Sequence, residues 1–292
     1  IDVIKTTLVV DGAAPVEPVS TTFNKDDTTV TFEFKDEFKK GSKAVLSIQY
    51  IGLLNDKLAG FYRSKYVDNG VTKYLATTQM EPADARRAFP GFDEPALKAT
   101  YDITLIHDKA LTALSNMDVK ETKSLENDKV ATVFNTTPLM SSYLVAFIVG
   151  EFKYVESNLF RVPVRVYTTP GLESRAQFSA DLGAKTLAFF EKTFDVDYPL
   201  PKMDMIGIHD FSAGAMEKWG LVTYRVVDLL FDEKNDSAAT KQRVAEVVQH
   251  ELAHQWFGDL VTMEWWDGLW LNEGFATWMS WFSCNEFYPD WR

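Results

Sequence analysis

Two histidines four residues apart restrict the fold of this 292-residue chain more than any other feature. The segment H-E-L-A-H places His250, Glu251 and His254 in the pattern H-E-x-x-H. On an α-helix, side chains at positions i and i+4 lie one above the other on the same face. Apolar residues recur at helical spacing around the motif, so we predict one helix over residues 237–257 with both imidazoles on one face.

Two imidazoles on one helix face can share one zinc ion. A third ligand is available at Glu273, nineteen residues after His254, within the segment L-W-L-N-E-G-F of a second predicted helix. Three protein ligands and an open water position are typical of catalytic zinc, whereas structural zinc usually has four ligands, often cysteines. The chain has one cysteine, Cys284, which cannot build a structural site alone. The spacing therefore predicts one Zn²⁺ bound by His250, His254 and Glu273.

Glu251 lies at the edge of the histidine face, where its carboxylate can reach a zinc-bound water. Zinc lowers the pKa of such a water from near 16 to about 7. Glu251 can then accept the proton and pass it to a leaving amine, which predicts amide hydrolysis with Glu251 as the catalytic base. The alternative, two ordinary histidines on an amphipathic helix, is weakened by Glu273. His107 and His209 each precede an aspartate at a predicted strand end, and we interpret them as surface or structural residues.

Composition restricts the other classes of function. The net charge of −12 disfavours nucleic acid as a partner, because phosphates require basic patches. No apolar run reaches the roughly 18 residues needed to span a bilayer, and the first residues lack the pattern of a signal peptide. The single cysteine excludes an internal disulfide and fits a reducing compartment. We therefore expect a cytoplasmic protein without a membrane segment, and we leave the oligomeric state open.

The pattern of apolar residues changes near residue 160. Before it we predict strands at residues 4–10, 28–34, 44–50, 100–107, 130–136 and 143–149. After it we predict strands at 160–167, 203–208 and 221–227, and helices at 176–194, 237–257 and 273–287. The fold class is therefore α+β. We predict a β-rich domain of antiparallel sheets over residues 1–160 and a catalytic domain over residues 161–292.

Three segments extend these observations into a resemblance to a known family. They read T-Q-M-E-P-A-D-A-R-R-A-F-P-G-F-D-E-P at 78–95, G-A-M-E followed by W-G-L-V-T-Y-R at 214–225, and H-E-L-A-H-Q-W-F-G-D-L-V-T-M-E-W-W-D-G-L-W-L-N-E-G-F-A from His250. Together and in this order they closely resemble the zinc aminopeptidases of the gluzincin type, the group of aminopeptidase N and puromycin-sensitive aminopeptidase. The resemblance implies a saddle-like β domain followed by a thermolysin-like zinc domain.

The resemblance also implies a binding site for peptides with a free N-terminus. It assigns the substrate ammonium to Glu217, helped by Gln79 and Glu81 of the β domain. It assigns contacts with substrate to Gly214, Ala215 and Met216, with Gly214 allowing close approach of the backbone and Met216 lining the first side-chain pocket, and it makes residues 221–227 the cleft floor. Carboxylates at a set distance from the metal would bind the substrate ammonium so that the peptide bond one residue away lies at the metal. A peptide with a blocked N-terminus would lose about 2–5 kcal/mol of binding free energy.

The chain departs from the family pattern at Lys218, where the family has asparagine. Its ammonium could pair with Glu217 and compete with the substrate amine, or it could point to solvent. We hypothesise that Lys218 weakens amine recognition without affecting the metal. The family also has a catalytic tyrosine that stabilises the oxyanion, and we expect it beyond Arg292 rather than at Tyr288. We therefore expect these residues to be a fragment that starts within the β domain and can be inactive alone.

Two other functions remain open from the sequence. A non-catalytic scaffold could retain the fold, although such relatives usually lose metal ligands that this chain keeps. A bifunctional epoxide hydrolase of the same superfamily is the other alternative, and the 214–225 segment resembles the peptidase branch more closely.

Overall fold

A computed structural model describes residues 1–291 and shows a strand-rich part followed by a part richer in helices. In chain order the first twelve strands are β1 (Asp2–Val10), β2 (Ser20–Asn24), β3 (Thr29–Glu33), β4 (Ala44–Ile51), β5 (Gly60–Asp68), β6 (Val71–Gln79), β7 (Thr104–Asp108), β8 (Thr112–Ser115), β9 (Val119–Ser124), β10 (Lys129–Phe134), β11 (Phe147–Gly150) and β12 (Lys153–Ser157). The remaining elements are β13 (Val164–Thr168), α1 (Gln177–Phe194), β14 (Met203–Ile208), β15 (Ala215–Met216), β16 (Leu221–Arg225), α2 (Val226–Leu229), α3 (Ala238–His254) and α4 (Leu269–Phe287).

The first part is built from antiparallel pairs. A four-stranded sheet has the order β5-β6-β11-β8, a three-stranded sheet has the order β7-β10-β9, and β1-β4 and β2-β3 form two-stranded ribbons. Strand β5 shows why a sheet forms here, because Tyr62, Ser64 and Tyr66 alternate inward while the residues between them face outward. The predicted β-rich antiparallel domain is confirmed.

The second part is organised around one mixed sheet of order β12-β13-β14-β16-β15. Its three central strands run parallel, and β12 and β15 pair antiparallel at the two edges. Strand β14 is buried along its whole length, as expected for a central strand covered on both faces. Helix α1 packs on β12 and β13 and contacts α3, so the sheet supports the helix that carries the histidines. The α+β fold class is confirmed.

Several strands differ from the sequence prediction. Strands β5 and β6 were not predicted, although Asn69-Gly70 between them is a turn signal that the sequence contains, and both residues have positive φ. The predicted strand at 143–149 begins only at Phe147, because Ser142–Leu144 forms a buried 3₁₀ turn. The strand predicted at 221–227 ends at Arg225, where the chain turns into α2.

The domain boundary near residue 160 stays a prediction. That position falls inside the hairpin of β12 and β13, and both strands belong to the five-stranded sheet. Sheet membership therefore favours a boundary just before β12. Over residues 1–291, the structure contains no helix with the length and apolar character needed to cross a bilayer.

A buried polar network joins the two parts beside the candidate site. The amide of Asn116, just after β8, donates to the carbonyl oxygens of Leu144 at 2.8 Å and Trp219 at 2.9 Å, and its oxygen accepts from the Ala146 N–H. Two of these hydrogen bonds fix the Asn116 side chain within the first part, and the third holds the 217–220 loop against it.

A second contact to the same loop comes from Lys202, whose ammonium donates to the backbone oxygens of Ser115 and Gly220 and pairs with Asp204 at 2.9 Å. All four groups lie in the interior, where an unpaired lysine would be costly, so the lysine is held by charge and hydrogen bonds together.

Gly220 offers a test of how closely this loop is packed. Its φ is +77°, and a Cβ would overlap the carbonyl oxygen of Asn116 and lie 2.6 Å from Leu200 Cδ1. Gly171 has φ +93° but open space around a Cβ. Both alanine variants carry the left-handed backbone cost of about 1–2 kcal/mol, and only Gly220→Ala adds a clash worth roughly 1–3 kcal/mol more. We expect Gly220→Ala to lower the thermal unfolding midpoint of the full-length protein clearly more than Gly171→Ala, and equal midpoints would contradict this packing.

Candidate metal centre and active site

Helix α3 begins where the sequence predicted and ends slightly earlier. The Ser237 side chain caps it by accepting from the Thr240 N–H at 3.1 Å. The helix ends at His254, residues 255–256 form a turn, and Phe257 forms an isolated bridge to Val261. One face packs in the core through Val244, Val248 and Leu252, which are fully buried. This packing fixes the rotation of the helix and therefore the direction of its histidines.

Helix α4 begins at Leu269, four residues before the predicted start. Glu273 consequently lies inside the helix, and α4 packs along α3. The amide of Asn272 beside it donates to the Met263 sulfur at 3.0 Å, which anchors this end of α4 to the preceding loop. The packing of α4 against α3 thus places Glu273 beside the two histidines.

The structure brings the three predicted metal ligands together. His250 Nε2 lies 3.1 Å from His254 Nε2 and 3.2 Å from Glu273 Oε2, and His254 Nε2 lies 3.6 Å from Glu273 Oε1. A tetrahedral centre with bonds of about 2.0–2.1 Å places its donor atoms about 3.3 Å apart. The three separations bracket that value, so the cluster has the dimensions of a site for one small divalent ion.

The tautomer of His254 also suits a ligand. Its Nδ1 lies 2.8 Å from the carbonyl oxygen of Phe257, which can only accept, so Nδ1 carries the hydrogen. The lone pair on Nε2 then points into the cluster. Burial would raise the pKa of Glu273, but the neighbouring imidazoles of His250 and His254 outweigh it and hold the pKa well below its usual range.

Glu251 is buried beside these ligands on the same helix and is only 6% exposed. Burial raises its pKa well above the ordinary value for a glutamate, and the nearby charges of Glu217, Glu273 and Glu81 add to the effect. A carboxyl whose proton is held more tightly is suited to accept a proton and to return it near neutral pH.

Two further carboxylates face the cluster from other elements. Glu217, after β15, lies 3.9 Å from His254 Nδ1 and is 3% exposed. Glu81, after β6, is largely buried, and burial together with the charges of Glu217 and Glu273 raises its pKa to about 8. One oxygen of each carboxyl is buried without a hydrogen-bond partner. Such unpaired oxygens are costly unless a cation or donor occupies the space between them.

Residues 214–216 form the edge of the five-stranded sheet. Ala215 and Met216 pair with β16, and the Gly214 oxygen accepts from the Arg225 N–H at 2.8 Å. A Cβ at Gly214 would lie 3.3 Å from Arg243 Nη2, so the glycine leaves room for this guanidinium. Met216 is buried, and its sulfur accepts from Gln79 Nε2 at 3.3 Å.

Lys218 behaves in neither of the two predicted ways. It is completely buried, so it does not point to solvent. Its Nζ donates to Thr223 Oγ1 at 2.6 Å and Gln79 Oε1 at 3.3 Å rather than pairing with Glu217.

The remaining histidines lie outside the cluster. His107 Nε2 lies 2.9 Å from Thr132 Oγ1 within its own sheet. His209 Nε2 lies 2.9 Å from Thr169 Oγ1, and its ring stacks on Tyr66. Both therefore have structural contacts that fit the sequence interpretation.

Sequence reasoning missed Gln255, which connects the metal helix to the Glu217 loop. Its amide donates to the Glu217 carbonyl oxygen at 3.0 Å and accepts from the Gly220 N–H at 3.1 Å, and the side chain is fully buried. The position directly after His254 was the only available signal. Because Gln255 bonds both ends of the loop, it sets the position of Glu217 relative to the histidines.

Comparison with known protein families is consistent with this geometry. Residues 2–144 match the Peptidase M1 N-terminal domain, and residues 178–292 match the Peptidase family M1 domain. The chain belongs to peptidase family M1. The resemblance to zinc aminopeptidases of this group is thereby confirmed.

Curated relatives of this M1 chain are named aminopeptidases. Aminopeptidase 2, mitochondrial, of Saccharomyces cerevisiae is 66% identical over 92% of this chain and 28% of its own length. The alanine/arginine aminopeptidase of the same yeast is 61% identical over 97% of this chain and 33% of its own length. Aminopeptidase M1 of Arabidopsis thaliana is 53% identical over 92% of this chain and 30% of its own length. The chain thus spans about a third of the length of these relatives.

The role of Gln255 can be tested at the Gly220 backbone N–H, which donates to the Gln255 side chain. In Gln255→Met, a side chain of similar size leaves the Gly220 N–H and the Glu217 carbonyl without their partner. We expect a loss of about 2–4 kcal/mol in stability and faster hydrogen exchange at Gly220. Gln242→Met, at an exposed position on the same helix, is the matched control and should leave both unchanged. Unaltered exchange at Gly220 in the first variant would rule out the bridge.

Proposed function

We propose that this M1 chain is the part of a zinc-dependent aminopeptidase that binds the metal and recognises the substrate N-terminus. The observation that carries the proposal is the placement of two carboxylates, the partly buried Glu81 and the buried Glu217, beside the cluster of His250, His254 and Glu273. Removal of one N-terminal residue requires a metal site beside a second, negatively charged site that binds the substrate ammonium.

Zinc fits the donor set of two imidazoles and one carboxylate, with spacing suited to tetrahedral coordination. His250, His254 and Glu273 would hold the ion. When bound, zinc supplies Lewis-acid chemistry, because it lowers the pKa of a water molecule and polarises a carbonyl group. No cysteine is required, and Cys284 is free.

Glu251 acts as the base in this proposal. Its buried carboxylate takes the proton of the attacking water and passes it to the nitrogen of the leaving peptide. Because Glu251 lies on the same helix as both histidines, its position relative to the metal is set by helix geometry. The raised pKa of this carboxyl favours holding the proton between the two transfers.

Glu217 and Glu81 bind the α-ammonium of the substrate, and Gln79 lies beside them at the end of β6. Their unpartnered oxygens offer acceptors that an ammonium can fill. The backbone at Gly214 and Ala215 lies at the sheet edge, where an extended substrate can align, with β16 beside it and Met216 facing Gln79. A peptide with a blocked N-terminus would leave the two carboxylates unpaired in a buried site.

The names of the relatives support the activity, while the residue roles rest on geometry. The reading as a scaffold protein is weakened because all three ligands and Glu251 stand together in the structure. The reading as an epoxide hydrolase is weakened because the relatives reported above are named aminopeptidases. We also propose peptides with a free N-terminus as substrates and the cytoplasm as the location; the word mitochondrial belongs to the name of one yeast relative.

Three variants of the full-length protein separate metal binding from proton transfer. His254→Gln should lose both bound zinc and activity. Glu251→Gln should retain zinc and lose about 10²–10⁴-fold in kcat, because only the base is removed. His209→Gln, outside the cluster, should retain both. Metal analysis and hydrolysis of an aminoacyl amide measure the two properties, and full zinc occupancy in His254→Gln would refute the ligand assignment.

Amine recognition is tested by Glu217→Gln, which keeps the shape of the side chain and removes its charge. We expect KM for an aminoacyl amide to rise about 10–100-fold, because a hydrogen bond to a charged group contributes about 1.5–3 kcal/mol. Glu233→Gln, at an exposed position, is the control. The parent should discriminate strongly against the N-acetylated substrate, and comparable kcat/KM on both substrates would argue against an aminopeptidase.

A further inference from the structure

Lys218 is an unusual residue because its ammonium is completely buried without an ion-pair partner. Among residues 1–291, no carboxylate lies within ion-pairing distance of its Nζ. A buried lysine is normally paired, since an isolated charge is costly to desolvate. Its contacts must therefore account for its position.

Those contacts join the two parts of the chain. Nζ donates to Thr223 Oγ1 on β16 at 2.6 Å and to Gln79 Oε1 at the end of β6 at 3.3 Å. It also lies 5.4 Å from the centre of the Phe211 ring. Lysine has donors and no acceptor, so both oxygens must face it as acceptors.

The hydrogen bond from Lys218 to Gln79 Oε1 fixes the orientation of the Gln79 amide. Its Nε2 donates to the Met216 sulfur at 3.3 Å, on the opposite side from Lys218. Turning the amide over would place its NH₂ group against the lysine ammonium, donor against donor. The Gln79 side chain is buried, so it has little room to adopt a third orientation.

We propose that Lys218 is a specificity-determining positioning residue: it holds the carbonyl oxygen of Gln79 so that this oxygen is withheld from a substrate ammonium. Recognition of the free amine then falls to Glu81 and Glu217 alone. The inference rests on the proposed aminopeptidase function. It makes a single side chain, Lys218, responsible for limiting the affinity of the site for the substrate amine.

Other features of the site agree with this assignment. The acceptors left without partners are carboxylate oxygens of Glu81 and Glu217, whereas both ends of the Gln79 amide are occupied. Burial lowers the pKa of Lys218 to about 7, against the opposing charges of Glu217, Glu251 and Glu81. The charged form has donors and no acceptor, so it is this form that fixes the orientation of the Gln79 amide.

A double-mutant cycle separates this mechanism from a simple effect of charge. Parent, Lys218→Met, Gln79→Met and the double variant are prepared as full-length, zinc-loaded proteins, with zinc content and thermal midpoint checked for each. The contribution of the amine is measured as the ratio of inhibition constants for an amino-acid amide and its des-amino analogue. Removing the lysine charge alone affects this ratio whether or not Gln79 is present.

If Lys218 acts through Gln79, Lys218→Met increases the amine contribution at least about fivefold more with Gln79 present than in the Gln79→Met background. An increase that is the same within twofold in both backgrounds would overturn the proposal and leave charge as the explanation. Should Lys218→Met fail to fold, Lys218→Asn replaces it in the same cycle, because asparagine is the residue that the family has at this position and its side chain is shorter than that of lysine.

The same measurements distinguish failure of the inference from failure of the proposed function. If the parent prefers the amine-bearing compound but the cycle shows no coupling, only the role of Lys218 is wrong. If the zinc-loaded parent shows no preference for the amine, amine recognition and the role of Lys218 fall together.

Discussion

The approach of Glu273 on α4 to the two imidazoles on α3 is the contact on which the site depends. Neither helix alone supplies the three donors of the proposed metal site, since α3 carries two of them and α4 carries one. Their packing reduces the separations between donor atoms to 3.1–3.6 Å, within the range that one ion can bridge. The mixed sheet behind α1 and α3 makes this contact rigid, because a shift in the rotation of either helix would separate the donors.

Carboxylate charge is the second constraint. Glu81, Glu217, Glu251 and Glu273 lie close enough for the charge of one to shift the pKa of another. Burying several like charges together is unfavourable unless cations neutralise them. A metal ion at the histidines and an ammonium between Glu81 and Glu217 would both do so. The electrostatic cost of the site thus favours the same two ligands that we propose from its geometry.

The contacts between the two parts of the chain fix the positions of the side chains around the site. Gln255 and Asn116 hold the 217–220 loop from opposite sides, one from the metal helix and one from the β domain. Lys218 lies within this loop and reaches back to Gln79 at the end of β6. Groups from distant segments that we propose to contact the substrate are therefore held in place by hydrogen bonds between side chains and backbone and by the buried amine of Lys218.

The sequence by itself determined the fold class through the periodicity of its apolar residues and the family through three segments taken together. It determined the candidate ligands through H-E-x-x-H and Glu273, which are local patterns on predicted helices. It also contained the Asn69-Gly70 signal for the β5–β6 hairpin, which our prediction overlooked. Only the tertiary structure decided where Lys218 points, which atoms Gln255 connects and what the space at Gly214 faces. Those outcomes depend on contacts between residues far apart in the chain, and no periodicity or spacing within one segment encodes them.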